Sequence, residues 1–221
     1  MKTFASESYT VAWFKIADFI ARGEKERALH MYRLLMHSVT EPAISYQLEG
    51  DILLAFQDAQ AVDRYHKAVD LYKKSGKLKQ AIAVYEQALP FLKDETMLKK
   101  LIALYAESQN IQGFTQNFLK FSKICLQDND QRSLDEFVAD LKENGLSLNI
   151  SCILYANYIR SVLMYGIKSI DFSKTIEESL ELFLSSLKIS KDLEKEFKKF
   201  LADLKLLDSV EYQKIEFFLE K

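Results

Sequence analysis

The chain of 221 residues carries only 6 Gly and 2 Pro, too little turn chemistry for a sandwich, a barrel or a series of βα loops. Its formal net charge of -2 lacks the basic excess that phosphate neutralisation needs, which argues against nucleic acid as a partner. No apolar run is long enough for a signal-peptide core or a membrane span, so an all-helical, soluble, cytoplasmic protein is expected.

The first predicted helix runs from about Thr10 to Ala21, with Phe14 and Asp18 on one side and Trp13, Ile16, Ala17 and Ile20 on the other. Gly23 supplies the left-handed residue that closes it. The second, from Glu24 to about His37, buries Ala28, Met31, Tyr32 and Leu35. Thr40 is placed to cap the third, with Pro42 in the first turn, where its missing N–H costs nothing. That helix carries Tyr46, Leu48, Ile52, Leu53 and Phe56.

A tight turn near Gln57 and Asp58 leads to a long fourth helix that buries Ala61, Tyr65, Ala68, Val69 and Tyr72. It stops at Gly76, with Lys73 and Lys74 at its negative end. The fifth helix holds "AIAVYEQALPFL", residues 81 to 92. Asp94 caps a sixth and Asn110 a seventh. Beyond "QDNDQ" at 127 to 131 the pattern is still helical but less regular. Helices are expected at 131–143, 149–165, 171–187, 190–206 and 209–220, with "ENGLS" and "YGIKSID" as loops.

Within "AWFKIADFIARGEKERALHMYRLL", Trp13, Ile16, Ala17 and Ile20 precede Gly23, Ala28 and Tyr32. In "YQLEGDILLAFQDAQAVDRYHKA", Tyr46, Gly50 and Leu53 precede Ala61, Tyr65 and Ala68. In "YKKSGKLKQAIAVYEQAL" the set is Tyr72, Gly76, Ala81, Tyr85 and Ala88. A fourth set, Leu101, Ile102, Tyr105, Phe114, Phe118 and Phe121, keeps the spacing with larger residues.

This pattern resembles the tetratricopeptide repeat. The resemblance covers about residues 10 to 127 and implies a right-handed α-solenoid of antiparallel helix hairpins. Residues 128–221 would form a degenerate helical extension with capping helices, packed on the repeats. A small residue at Ala28, Ala61 and Ala81 lets the two helices of a hairpin cross closely, while Tyr32, Tyr65 and Tyr85 fill the gap towards the next hairpin.

The register departs from the family in one place. Ala28 and Ala61 stand 33 residues apart, as do Ala81 and Phe114, but only 20 separate Ala61 from Ala81. The fourth helix must therefore close the second repeat and open the third, a change of phase. Pro90 also comes earlier after Ala88 than the family's usual proline.

Chemistry is sparse. His30 and His37 lie on one helix face and His66 is distant, with no metal-binding motif, so no metal and no cofactor are expected. Cys125 and Cys152 sit in apolar helical stretches and are read as buried free thiols. No nucleophile elbow or phosphate-binding loop occurs, and the expectation is a protein that is not an enzyme. A carboxylate site hidden in the helices is the alternative from another class.

The resemblance assigns the inner face of the first helices to partner binding. By matched positions this face comprises Phe14, Asp18 and Arg22, then Gln47, Asp51 and Leu54, then His66, Asp70 and Lys73. Family members that grip the C-terminal carboxylates of heat-shock chaperones place Lys and Asn at the first of these positions, where Phe14 and Asp18 stand here. The three aspartates suit instead a basic or amphipathic helical segment. The expectation is an interaction scaffold or adaptor whose partner is a protein, a peptide or an amphipathic helix. A specialised chaperone or a vesicle-fusion-type adaptor is the alternative.

Residues 188–205 form an amphipathic helix whose interleaved acids argue against a membrane surface. The last helix has two roles open to it. It either caps the apolar end of the array or packs on a second subunit in a homodimer.

Overall fold

The computed structural model describes residues 2–36, 41–166, 172–186 and 191–219, and every regular element among them is an α-helix. In chain order these are α1 (Lys2–Ala21), α2 (Lys25–Met36), α3 (Pro42–Ala55), α4 (Gln60–Lys74), α5 (Leu78–Leu92) and α6 (Glu95–Glu107). They continue with α7 (Ile111–Gln127), α8 (Gln131–Glu143), α9 (Leu148–Met164), α10 (Phe172–Ser186), α11 (Lys191–Leu207) and α12 (Ser209–Leu219). Packing groups them into two compact units, residues 1–97 and residues 98–221, with the division inside α6.

Two details differ from the sequence reading. Helix α1 starts at Lys2 rather than near Thr10, because nothing in "KTFASESYT" breaks a helix. The cap position of α3 is Glu41, whose side chain makes no capping hydrogen bond, and Pro42 opens the helix. Thr40 lies outside the described residues, as do His37 and most of the loop after Tyr165.

In the first unit α1 packs on α2, α2 on α3, α3 on α4, and α4 on α5. The motif residues form the core of this stack. Ala28, Ala61 and Ala81 are each 0% exposed, and Tyr32, Tyr65 and Tyr85 one turn later are buried with them. A larger side chain at any of the three alanines would push the helices apart.

One turn type recurs between helices. After α1, the N–H of Glu24 donates to the Phe19 carbonyl at 2.8 Å and that of Gly23 to Ile20 at 3.0 Å, with Gly23 left-handed at φ 74. The same pair of bonds closes α3 around Gln57, at φ 55, and α4 around Gly76, at φ 70. These bonds satisfy carbonyls that the helix end leaves free. Helix α4 therefore has the hairpin turn at both ends, and it packs along α3 on one flank and α5 on the other.

The second unit repeats the device. Gln109 and Asn129, both left-handed, bracket α7 with the same bonding pattern. Asn110 and Asp94 cap their helices as their spacing predicts, accepting from the N–H of Gly113 at 2.9 Å and of Met97 at 2.7 Å. Helices α7, α9 and α11 pack in a row, while α8, α10 and α12 pack against them in hairpin pairs.

The middle helix of that row is enclosed. Every residue from Cys152 to Ile159 of α9 is buried, which explains why its sequence is apolar on all sides rather than striped. Its one charged residue, Arg160, donates from Nε to Oδ2 of Asp203 on α11 at 2.7 Å and from Nη1 to Oδ1 of Asn157 at 2.9 Å.

Candidate partner-binding surface

The residues assigned to partner binding separate into two groups in the first unit. Phe14 is 71% exposed and Val11, one turn before it on α1, is also exposed, so an apolar stripe faces solvent there. Asp18 continues that stripe, but its carboxylate is held by Arg22 one turn on, with Nη2 2.7 Å from Oδ2. This exposed pair carries little net charge and contributes little stability. Asp70 is exposed on α4, and Leu54 on α3 is half-buried.

The other three are tied into hairpins. Tyr65 Oη on α4 donates to Asp51 Oδ1 on α3 at 2.9 Å, and Tyr72 Oη donates to Gln47 Oε1 at 3.3 Å. Burial raises the Asp51 carboxyl above its ordinary range, and the Tyr65 hydrogen bond partly offsets that. His66 on α4 lies 2.6 Å from Tyr85 Oη through Nδ1, with the rings edge to face. Burial, with the negative charges of Asp70 and Asp94 secondary, holds the Tyr85 phenol well above its normal range.

Among the described residues no group of His, Cys, Asp or Glu is arranged to hold a metal ion, and His30 is exposed. Cys125 and Cys152 are buried free thiols. No described helix is long and apolar enough to cross a membrane.

The second unit holds a feature that the sequence reading missed. A groove of about 770 Å³ runs over the N-terminal halves of α7, α9 and α11. Ile153 and Leu193 form its buried base, and Gln112, Gln116 and Asn149 line its walls. The signal in the sequence is slight. Gln112 and Gln116 are polar residues one turn apart on an otherwise aromatic-rich helix, which reads equally as a solvated face.

No family model and no curated protein matches the chain. The solved structure of a tetratricopeptide repeat protein from Parabacteroides merdae matches over 92% of this chain and 93% of that one, with 16% identical residues and a TM-score of 0.26. The hairpins of the first unit resemble tetratricopeptide repeats. What carries that resemblance is the burial of Ala28, Tyr32, Ala61, Tyr65, Ala81 and Tyr85 at the helix crossings the motif demands.

Proposed function

We propose that the protein is a non-catalytic interaction scaffold or adaptor that binds a partner peptide or amphipathic helix on the first unit. The observation that carries this reading is the exposure of Phe14, at a position the repeat resemblance assigns to the binding face. An exposed aromatic beside Val11 supplies the apolar anchor from which a contact draws most of its energy. Asp70, exposed on α4 of the same unit, steers basic groups, while Arg22 offsets the charge of Asp18. Asp51, Gln47 and His66 hold the hairpins in register behind them, through Tyr65, Tyr72 and Tyr85.

The test uses two labelled amphipathic peptides of equal length, one built from Leu and Lys and one from Leu and Glu. Fluorescence anisotropy with the full chain should show binding of the Leu/Lys peptide that weakens with salt. A Phe14→Ala, Asp70→Asn variant should lose about tenfold or more in affinity, the equivalent of ~1.4 kcal/mol, at unchanged helicity. Equal binding of the Leu/Glu peptide, or no effect of the double variant, would remove this face as the partner site.

A further inference from the structure

The sequence holds one Asn-Gly pair, Asn144–Gly145, and it lies in the turn between α8 and α9. Both residues are exposed, so water and solvent base reach them. Gly145 stands left-handed at φ 73, and without a Cβ its backbone nitrogen can approach a neighbouring group closely. The nearest group along the chain is the side-chain amide of Asn144. A Gly145 nitrogen that gives its proton to solvent base can attack Cγ of that amide. The new N–C bond closes a succinimide, the bond from Cγ to Nδ2 breaks, and Nδ2 leaves as ammonia. Water then opens the imide at either carbonyl to give aspartate or isoaspartate. The sum is uptake of water and release of ammonia, with nothing oxidised or reduced.

The folded turn holds these atoms apart. At Asn144 ψ is 4, which eclipses the Gly145 nitrogen with the backbone nitrogen of Asn144 and turns it away from Cβ and Cγ. The Gly145 N–H donates to the Lys142 carbonyl at 3.2 Å, and Nδ2 of Asn144 donates to the Asp140 carbonyl at 2.7 Å. Attack requires rotation about the Asn144 Cα–C bond, which breaks the first of these bonds, and departure of Nδ2, which breaks the second. Both belong to the exposed end of a helix, where a turn opens more readily than the whole domain unfolds.

We propose that Asn144 is a site of spontaneous deamidation, and that opening of the last turn of α8 sets its rate. The change runs in one direction and alters the turn it occurs in. A carboxylate at position 144 cannot donate to the Asp140 carbonyl, and it adds negative charge where the helix end is already negative. It also competes for the ammonium of Lys142, whose Nζ lies 4.2 Å from the centroid of the Tyr155 ring on α9. Isoaspartate further lengthens the backbone within the turn. Deamidation therefore loosens the α8–α9 hairpin of the second unit. Asn144 lies beyond the stretch that resembles the repeat family and outside the Phe14 face.

The experiment incubates the full chain at neutral pH, folded and in parallel in concentrated guanidinium chloride. Peptide mapping by mass spectrometry follows the mass gain of amide-to-acid conversion, and isoaspartyl methyltransferase marks the isoaspartate branch. In denaturant Asn144 should convert before Asn110, Asn117, Asn129, Asn149 and Asn157. In the folded chain it should convert about tenfold more slowly or slower still, the equivalent of ~1.4 kcal/mol for opening the turn. Leu141→Ala removes a buried contact at the end of α8, so it should raise the folded rate and leave the rate in denaturant unchanged. Asn144→Asp should lower the urea midpoint at constant slope. Earlier conversion of another asparagine in the folded chain would overturn the site. Equal rates with and without denaturant, a comparison that needs no substitution, would overturn control by the turn, as would a folded rate indifferent to Leu141→Ala at normal helicity. An unchanged midpoint for Asn144→Asp would remove the loosening of the hairpin.

Discussion

Tyr65 on α4 donates its phenolic proton to Asp51 on α3 across 2.9 Å, and Tyr65 itself is 1% exposed. The bond couples a repeat-motif tyrosine to a carboxylate that the same motif would assign to the partner. Tyr65→Phe keeps the packing but leaves a half-buried carboxylate without its donor. A stability loss of about 1–3 kcal/mol is expected, measured as a shift in urea midpoint at constant slope. Asp51→Asn retains an acceptor for Tyr65 and should lose less than Tyr65→Phe.

Glycine closeness gives a second prediction. A Cβ at Gly113 of α7 would stand 2.3 Å from Cε1 of Tyr105, and one at Gly50 of α3 would stand 2.8 Å from Cε1 of Tyr65. Both glycines let a tyrosine ring cross a helix backbone. Gly113→Ala should therefore destabilise by about 2–3 kcal/mol, since overpacking outweighs the gain of about 1 kcal/mol in helix propensity. Gly50→Ala, with the looser contact, should cost less. Denaturant titration of both variants checks the order.

Helix positions and the packing of the motif residues were legible because they follow from periodicity and from small residues at crossings. Ala81 and Tyr85 needed only their spacing to be placed in the core. The candidate sites were harder to read. Asp18 looks like a free acid in sequence, yet Arg22 one turn later neutralises it. Asp51 and His66 look like surface polar groups, and their tyrosine partners come from other helices, which spacing along one chain does not reveal. The groove lined by Gln112 and Asn149 depends on α7 and α9 packing side by side, a tertiary fact.

Alkaline pH should unfold the protein earlier than ion pairing alone would suggest. Burial first, and neighbouring carboxylates second, push the phenols of Tyr32 and Tyr155 up to about 12, with Tyr65, Tyr85 and Tyr158 raised still further. In the unfolded chain these groups titrate near 10. The folded state holds its phenolic protons more tightly, so the associated stability is complete below pH ~10 and is lost as pH climbs through ~12. Helicity by circular dichroism and phenolate absorbance should change together over that window. Early phenolate formation with helicity intact would contradict the burial of these rings.

The Arg160–Asp203 pair between α9 and α11 should respond unequally to loss of either partner. The Arg160 side chain is 13% exposed and that of Asp203 32% exposed. Asp203→Ala leaves a guanidinium that is largely out of water and faces, among the described residues, the side-chain carbonyl of Asn157, a desolvated charge stripped of its partner. Arg160→Met instead fills much of the same volume with an apolar chain and leaves a carboxylate that water can still reach. Asp203→Ala should cost about 2–3 kcal/mol and Arg160→Met about 1 kcal/mol or less. The double variant should fall between them, because the penalty of Asp203→Ala lies in the stranded cation, which Arg160→Met removes. Urea titrations of the two single variants and the double variant give the coupling directly, and equal losses for the two single variants would mean that the pair behaves as a solvated surface bridge.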